Sequence, residues 1–157
     1  MTESNPRIID VEKQLKTRLP GIYHKLPRSF LRLIRHIVYE NRLNHLIHES
    51  RDLEGIELVN WALEQFQVTV KIKGQKNIPA DGRNIFVANH PLGGLDSLAL
   101  LSALGSCYTS LKILSNEILD VVAGFHPLRV SVVTFGKFSR ANALALKDVL
   151  ISNQPLC

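Results

Sequence analysis

From Pro27 to about Glu49, Phe30, Leu33, Ile34 and Ile37 recur at helical spacing, while Arg28, Arg32, Arg35 and Arg42 gather on another face. The pattern predicts one basic amphipathic helix over 28–48. The stretch before it, VEKQLKTRLPGIYHKLP, adds four basic residues and a turn at Pro20-Gly21. Ile56, Val59, Leu63 and Phe66 then share a helical face over 55–66, with Trp61 nearby. After Phe66 the period changes to two: in QVTVKIKG, Val68, Val70 and Ile72 alternate with Thr69, Lys71 and Lys73, as in a half-buried strand.

NIPADGR reads as a turn, and NIFVANH as a strand covered on both faces, because Ile85, Phe86, Val87 and Ala88 are all apolar. A helix with Leu95, Leu98, Ala99 and Leu101 on its packing side stops near Gly105. Beyond it come a short strand at 111–114, a short helix at 116–122, an apolar strand at 129–135 and a helix at 141–152. Strands alternating with helices mean an α/β fold. The expected organisation is a helical lead over 1–66 and an α/β domain over 67–157. At SNQPLC the alternation calls for another strand, so the domain reads as cut short.

Composition narrows the class. In 157 residues, 45% hydrophobic and 21% charged with nine glycines and seven prolines, there is room for one globular core and no sign of collagen, coiled coil or disorder. Cys107 and Cys157 are too few for a disulfide framework, which favours a reducing compartment. Nine of the nineteen Lys and Arg lie in the first fifty residues, against five of the fourteen Asp and Glu, so the net charge of +5 is mostly N-terminal. An excess of that kind favours an anionic partner, a membrane surface or nucleic acid. The most apolar N-terminal stretch, FLRLIRHIVY, carries Arg32, Arg35 and His36, and MTESNPRIID lacks the apolar region of a signal peptide. The expected location is cytoplasmic.

The chemistry concentrates in NHPLGGLD, residues 89–96. Asn89, His90 and Asp96 lie where an apolar strand gives way to a Gly93-Gly94 turn and a helix, the end of an open α/β sheet at which ligands bind. Two readings stand side by side. Asp96 can orient the His90 imidazole so that its far nitrogen takes a proton from a hydroxyl. Alternatively, Asp96 caps the helix and His90 is an ordinary turn residue. Elsewhere the signals are weaker. His45, His48 and Glu49 lack a further metal ligand, Ser97 lacks a GxSxG elbow, His126-Pro127 reads as a turn, and no nucleotide-phosphate motif occurs.

NHPLGGLD, the preceding GQKNIPADGRNIFVA and the helical lead together resemble the glycerolipid and lysophospholipid acyltransferase superfamily, nearest its hemolysin-like branch. The likeness runs over about 70–157. Five residues separate His90 from Asp96, where the superfamily usually has four. The resemblance implies the first half of a mixed sheet flanked by helices, and acyl transfer from coenzyme A or an acyl-carrier protein to a hydroxyl of a lyso-lipid or lyso-aminolipid. His90 would be the general base, oriented by Asp96, with Asn89, Gly93 and Gly94 shaping the substrate site. Lys137 or Arg140, in VVTFGKFSR, would meet an anionic head group or donor phosphate. No cofactor or metal is implied beyond the acyl donor, and no nucleic acid.

The superfamily's third motif, a Phe-Pro-x-Gly-like turn, is expected just after QPLC and does not occur, which suggests a truncated domain with an incomplete acceptor pocket. The expected setting is peripheral, on the cytoplasmic membrane face, with helix 28–48 against anionic lipid. A non-catalytic basic binding module and an inert relic are the alternatives.

Overall fold

A computed structural model describes residues 7–80, 84–116, 120–132, 140–152 and 154–157. Contacts group the chain into two units, Met1–Glu49 and Ser50–Cys157. This division differs from the expected boundary after residue 66, because the helix over 55–65 groups with the residues that follow it.

The first unit contains α1 (Val11–Arg18), α2 (Pro20–Tyr23), α3 (Arg28–Ile37) and α4 (Glu40–Glu49). Asp10 caps α1, its carboxylate accepting the Lys13 N–H at 2.9 Å. Pro20 opens α2, where a missing N–H costs nothing. The Tyr23 hydroxyl ties the two helices by donating to Glu12 at 2.7 Å. Lys16, bound to Glu12 at 2.9 Å, and that hydroxyl hold the Glu12 carboxyl below its ordinary range.

The single helix expected over 28–48 is two helices, broken at Tyr39, whose φ of 53° is left-handed. The reason lies in Glu40. At 3.6 residues per turn an unbroken helix would set Glu40 about 20° from Leu33, on the exposed apolar stripe. The break turns it inward, where it is 1% exposed and meets Arg35. Arg35 Nε donates to both Glu40 oxygens at 3.0 and 3.1 Å, and the Val11 N–H donates to the same carboxylate at 3.2 Å. One turn on, the Asn44 carbonyl oxygen accepts the Ile8 and Ile9 N–H groups, and its amide donates to the Ile9 and Glu40 carbonyls.

In the second unit, α5 (Gly55–Gln65) packs on α6 (Gly94–Gly105). Val59 and Leu63 meet Leu101, Leu104, Tyr108, Leu111 and Leu128 in the core. The two helices cross closely: a Cβ at Gly105 would lie 2.6 Å from Ile56 Cδ1. The expected strand over 67–74 joins no ladder among the described residues, and its ends, Gln67 and Gly74, take left-handed φ of 55° and 79°. Its alternation is nevertheless real, since Val68 and Val70 pack against the core while Thr69 and Lys71 are exposed. Ile72 remains 39% exposed.

β1 (Ile113–Asn116) and β2 (Arg129–Val132) pair in parallel, Ile113 opposite Arg129. Leu156 bridges in parallel to both Ile85 and Lys112. The Phe86 N–H donates to the Leu156 carbonyl, the Leu156 N–H to Asn84, and Lys112, Leu114 and Cys157 continue the ladder on the other side. The order is therefore 84–86, 155–157, β1, β2, with every described pairing parallel. Helices α5, α6 and α7 (Arg140–Ile151) accompany these strands, a helix-rich α/β arrangement. The mixed character expected of the sheet is not found among the described pairings. NIFVANH is also covered differently from expectation: Phe86 packs in a tilted arrangement on Tyr108, ring centroids 5.9 Å apart, while Ile85 and Val87 are 64% and 90% exposed. Of the expected helix at 116–122, Asn116 instead closes β1 and 117–119 lie outside the described residues, as does the end, 133–135, of the expected strand at 129–135.

Candidate active site

The extended segment at 84–88 delivers the chain to a β-turn, in which the Gly93 N–H donates to the His90 carbonyl at 3.4 Å. Pro91 occupies the second position, where its fixed φ suits the bend. Gly93 follows with φ 67° and ψ −128°, a backbone that a side chain resists, and α6 begins at Gly94. Of the two glycines assigned to the turn, only Gly93 needs its conformational freedom. Gly94 is the first helical residue, with open space around it.

Asp96 lies in the first turn of α6, and its carboxylate reaches back to accept the Leu92 N–H at 2.6 Å. This ties the glycine turn to the helix and places the negative charge at the helix's positive end. His90 is exposed, and its Nδ1 lies 3.5 Å from the Ser97 hydroxyl. Among the described residues no hydrogen bond or ion pair joins His90 to Asp96 directly. The turn thus brings His90, Asp96 and Ser97 together, with the carboxylate fixing the backbone under the imidazole and the hydroxyl beside the ring.

Ser97 is the residue that the sequence did not single out for this position. Weighed only as a nucleophile, it stands out once the turn folds residue 97 back on residue 90. If Nδ1–H donates to the Ser97 oxygen, Nε2 presents a lone pair outward, the state a general base requires.

Asn89 is exposed beside His90, and Arg140 is exposed at the start of α7. Lys137 lies outside the described residues. Ile85, Val87 and Leu92, the last 71% exposed, put apolar surface on the segments flanking the imidazole. Among the described residues no cluster of three metal-ligating side chains occurs, and His45 pairs with Glu49 along α4 at 3.3 Å. No described helix is long and apolar enough to cross a membrane.

The chain is 36% identical over 141 residues to a lyso-glycine lipid O-acyltransferase of Phocaeicola vulgatus, covering 89% of this chain and 50% of that protein. It is also 36% identical over 138 residues to a lyso-glycine lipid O-acyltransferase of Bacteroides thetaiotaomicron, covering 87% of this chain and 51% of that one. The chain therefore spans about half the length of the curated relatives it matches. No solved structure matches it significantly. The acyltransferase family matches residues 13–157, nearly the whole chain and all of the site just described, and the chain belongs to that family.

Proposed function

We propose that this chain carries the base-bearing part of a lyso-lipid O-acyltransferase. The observation that carries the reading is NHPLGGLD in its folded setting: an exposed imidazole at the end of a strand-like segment, with Asp96 bracing the turn beneath it, in a chain 36% identical to two lyso-glycine lipid O-acyltransferases. In the reaction, His90 Nε2 accepts the proton of the acceptor hydroxyl as the oxygen attacks the thioester carbonyl carbon. The tetrahedral intermediate collapses by breaking the C–S bond, and the thiolate takes a proton from the imidazolium. The donor thioester is coenzyme A or acyl-carrier protein. Asp96 stabilises the turn and, through its charge, the protonated ring. Asn89, Gly93 and Gly94 shape the substrate site, and Lys137 or Arg140 meets donor phosphate or head group. Exposed Ile85, Val87 and Leu92 offer an acyl chain apolar contact.

The setting we propose is the cytoplasmic membrane face, with the basic helices of the first unit against anionic lipid. The reading is tested by following labelled acyl transfer from each thioester donor to a lyso-glycine lipid. Transfer should fall about a hundredfold or more in His90→Ala, the usual worth of a positioned general base. Circular dichroism should be unchanged, because the exposed ring packs no core. Undiminished transfer by His90→Ala overturns the assignment.

A further inference from the structure

The first unit has a cleft of about 290 Å³ at the elbow of α3 and α4, lined by Arg32, Arg35, His36, Glu40 and Asn41. Its charges are unevenly used. Arg35 is spent on buried Glu40, to which Nη2 binds at 2.9 Å. Arg32 is exposed and has no ion pair or hydrogen bond among the described residues. The lining thus carries one uncompensated positive charge, with the amide of Asn41 and a ring nitrogen of His36 as further donors. His36 is held by stacking on Tyr39, with ring centroids 6.1 Å apart. The left-handed Tyr39 creates the elbow, and so the cleft.

The same helix carries a second feature. Phe30, Leu33 and Ile37 are 44%, 49% and 63% exposed and fall within about 60° of one another around α3. The core side of α3, marked by buried Leu31, points elsewhere, so this is a separate apolar face. His36 and Arg32 lie on the polar side of the helix, about 60° and 100° round from the nearer edge of this face. A helix with an apolar stripe on one side and an unpaired arginine on its polar side has the chemistry of the boundary between lipid acyl chains and head groups.

Resting on the membrane setting proposed above, we infer that the α3–α4 elbow is a lipid head-group site: the cleft takes the phosphodiester of an anionic phospholipid while Phe30, Leu33 and Ile37 enter the acyl boundary. A phosphodiester carries a single negative charge, which matches the single uncompensated positive charge of the lining. Arg32 binds it through parallel N–H donors, as guanidinium does with phosphate oxygens. Glu40 holds Arg35 in place and sets the lining charge at one rather than two.

The test uses the full chain and vesicles of phosphatidylcholine with or without phosphatidylglycerol, near physiological salt. Binding should require phosphatidylglycerol. Arg28→Gln, which removes a charge from the same helix outside the cleft, should weaken binding about fivefold, the effect of one basic residue near an anionic surface. Arg32→Gln should weaken it about twentyfold or more, because it also removes direct charge-assisted hydrogen bonds. Short-chain soluble phosphatidylglycerol should shift the His36 and Asn41 side-chain resonances, and inorganic phosphate at equal concentration should shift them less.

Equal losses in the two Arg variants would mean diffuse attraction, overturning the cleft while leaving the membrane setting intact. Absence of any phosphatidylglycerol-dependent binding would overturn both. Leu33→Ser should weaken vesicle binding; if it instead dissociates a dimer and leaves vesicle binding unchanged, the stripe is a contact between copies and the inference falls.

Discussion

Two adjacent glycines in the candidate site behave differently, and their difference is a test of the turn. Gly93 holds a positive φ that an alanine adopts only with strain, so Gly93→Ala should lower stability by about 1–2 kcal/mol. Gly94 is helical, and a methyl group added there would meet nothing within 4 Å, so Gly94→Ala should be neutral or stabilising by up to about 1 kcal/mol. Urea unfolding of the two variants decides it, and a larger loss for Gly94→Ala would contradict the geometry. The sequence showed both glycines as a turn signal but not which one carried it, because that depends on where α6 begins. The same limit applies to Ser97. Its nearness to His90 is made by the turn and the helix together, whereas His90 and Asp96 were legible from residue type and position alone.

Among the elements, the amphipathic pattern of 28–48 was legible but its break was not. Neither glycine nor proline marks the bend; a tyrosine takes the left-handed conformation so that Glu40 can be buried against Arg35 and the Val11 N–H. Periodicity reports which residues share a face and is silent about an ion pair that pulls one of them inward. Removing the Glu40 carboxylate leaves Arg35 without its anion. Because the Arg35 side chain is 28% exposed and can recover some hydration, Glu40→Ala should cost about 3 kcal/mol, the low end for breaking a buried pair. Amide exchange in α3 and α4 reports this directly, and unchanged protection there would show that the pair does not hold the elbow. The segment 67–74 teaches a related lesson. Alternation correctly foretold the inward Val68 and Val70, but a strand also needs a partner for its backbone, and hydrophobic pattern does not supply one.

Across the second unit, Pro155–Cys157 joins parts of the sheet far apart in sequence. The alternation of elements called for another strand about SNQPLC and read the domain as cut short there; that residues 155–157 themselves pair in the sheet was not foreseen. Their position between 84–86 and β1 is a matter of strand order, which is a property of the folded sheet. Cys157 itself is affected by this placement: burial pushes its thiol from 9.0 up to about 11. The folded state therefore holds the thiol proton more tightly than the unfolded chain does. That contribution is fully present below about pH 9 and is lost as pH rises toward 11. The stability difference between the unmodified chain and Cys157→Ala should be constant up to about pH 9 and then shrink. A difference that grows with pH would reverse the sign.

The same placement governs how the site is held. Five backbone hydrogen bonds run between residues 155–157 and their neighbours, two toward Asn84 and Phe86 and three toward Lys112 and Leu114. Leu156, 4% exposed, adds side-chain burial at the centre. At about 1 kcal/mol per net hydrogen bond and about 2 kcal/mol for the leucine, deleting Pro155–Cys157 should remove several kcal/mol from this unit. The loss should be uneven. α5 and α6 keep Val59, Leu63, Leu101 and Leu104 packed together, whereas 84–86 loses its described ladder partner. Because 84–88 leads directly into the turn bearing His90, the deletion should loosen the imidazole while sparing the helical core. In hydrogen exchange, Phe86 and Leu114 amides should lose protection before those of α5 and α6. Equal loss everywhere would mean that the ladder and the helices unfold as one, with residues 155–157 supporting the whole unit and not the site segment in particular.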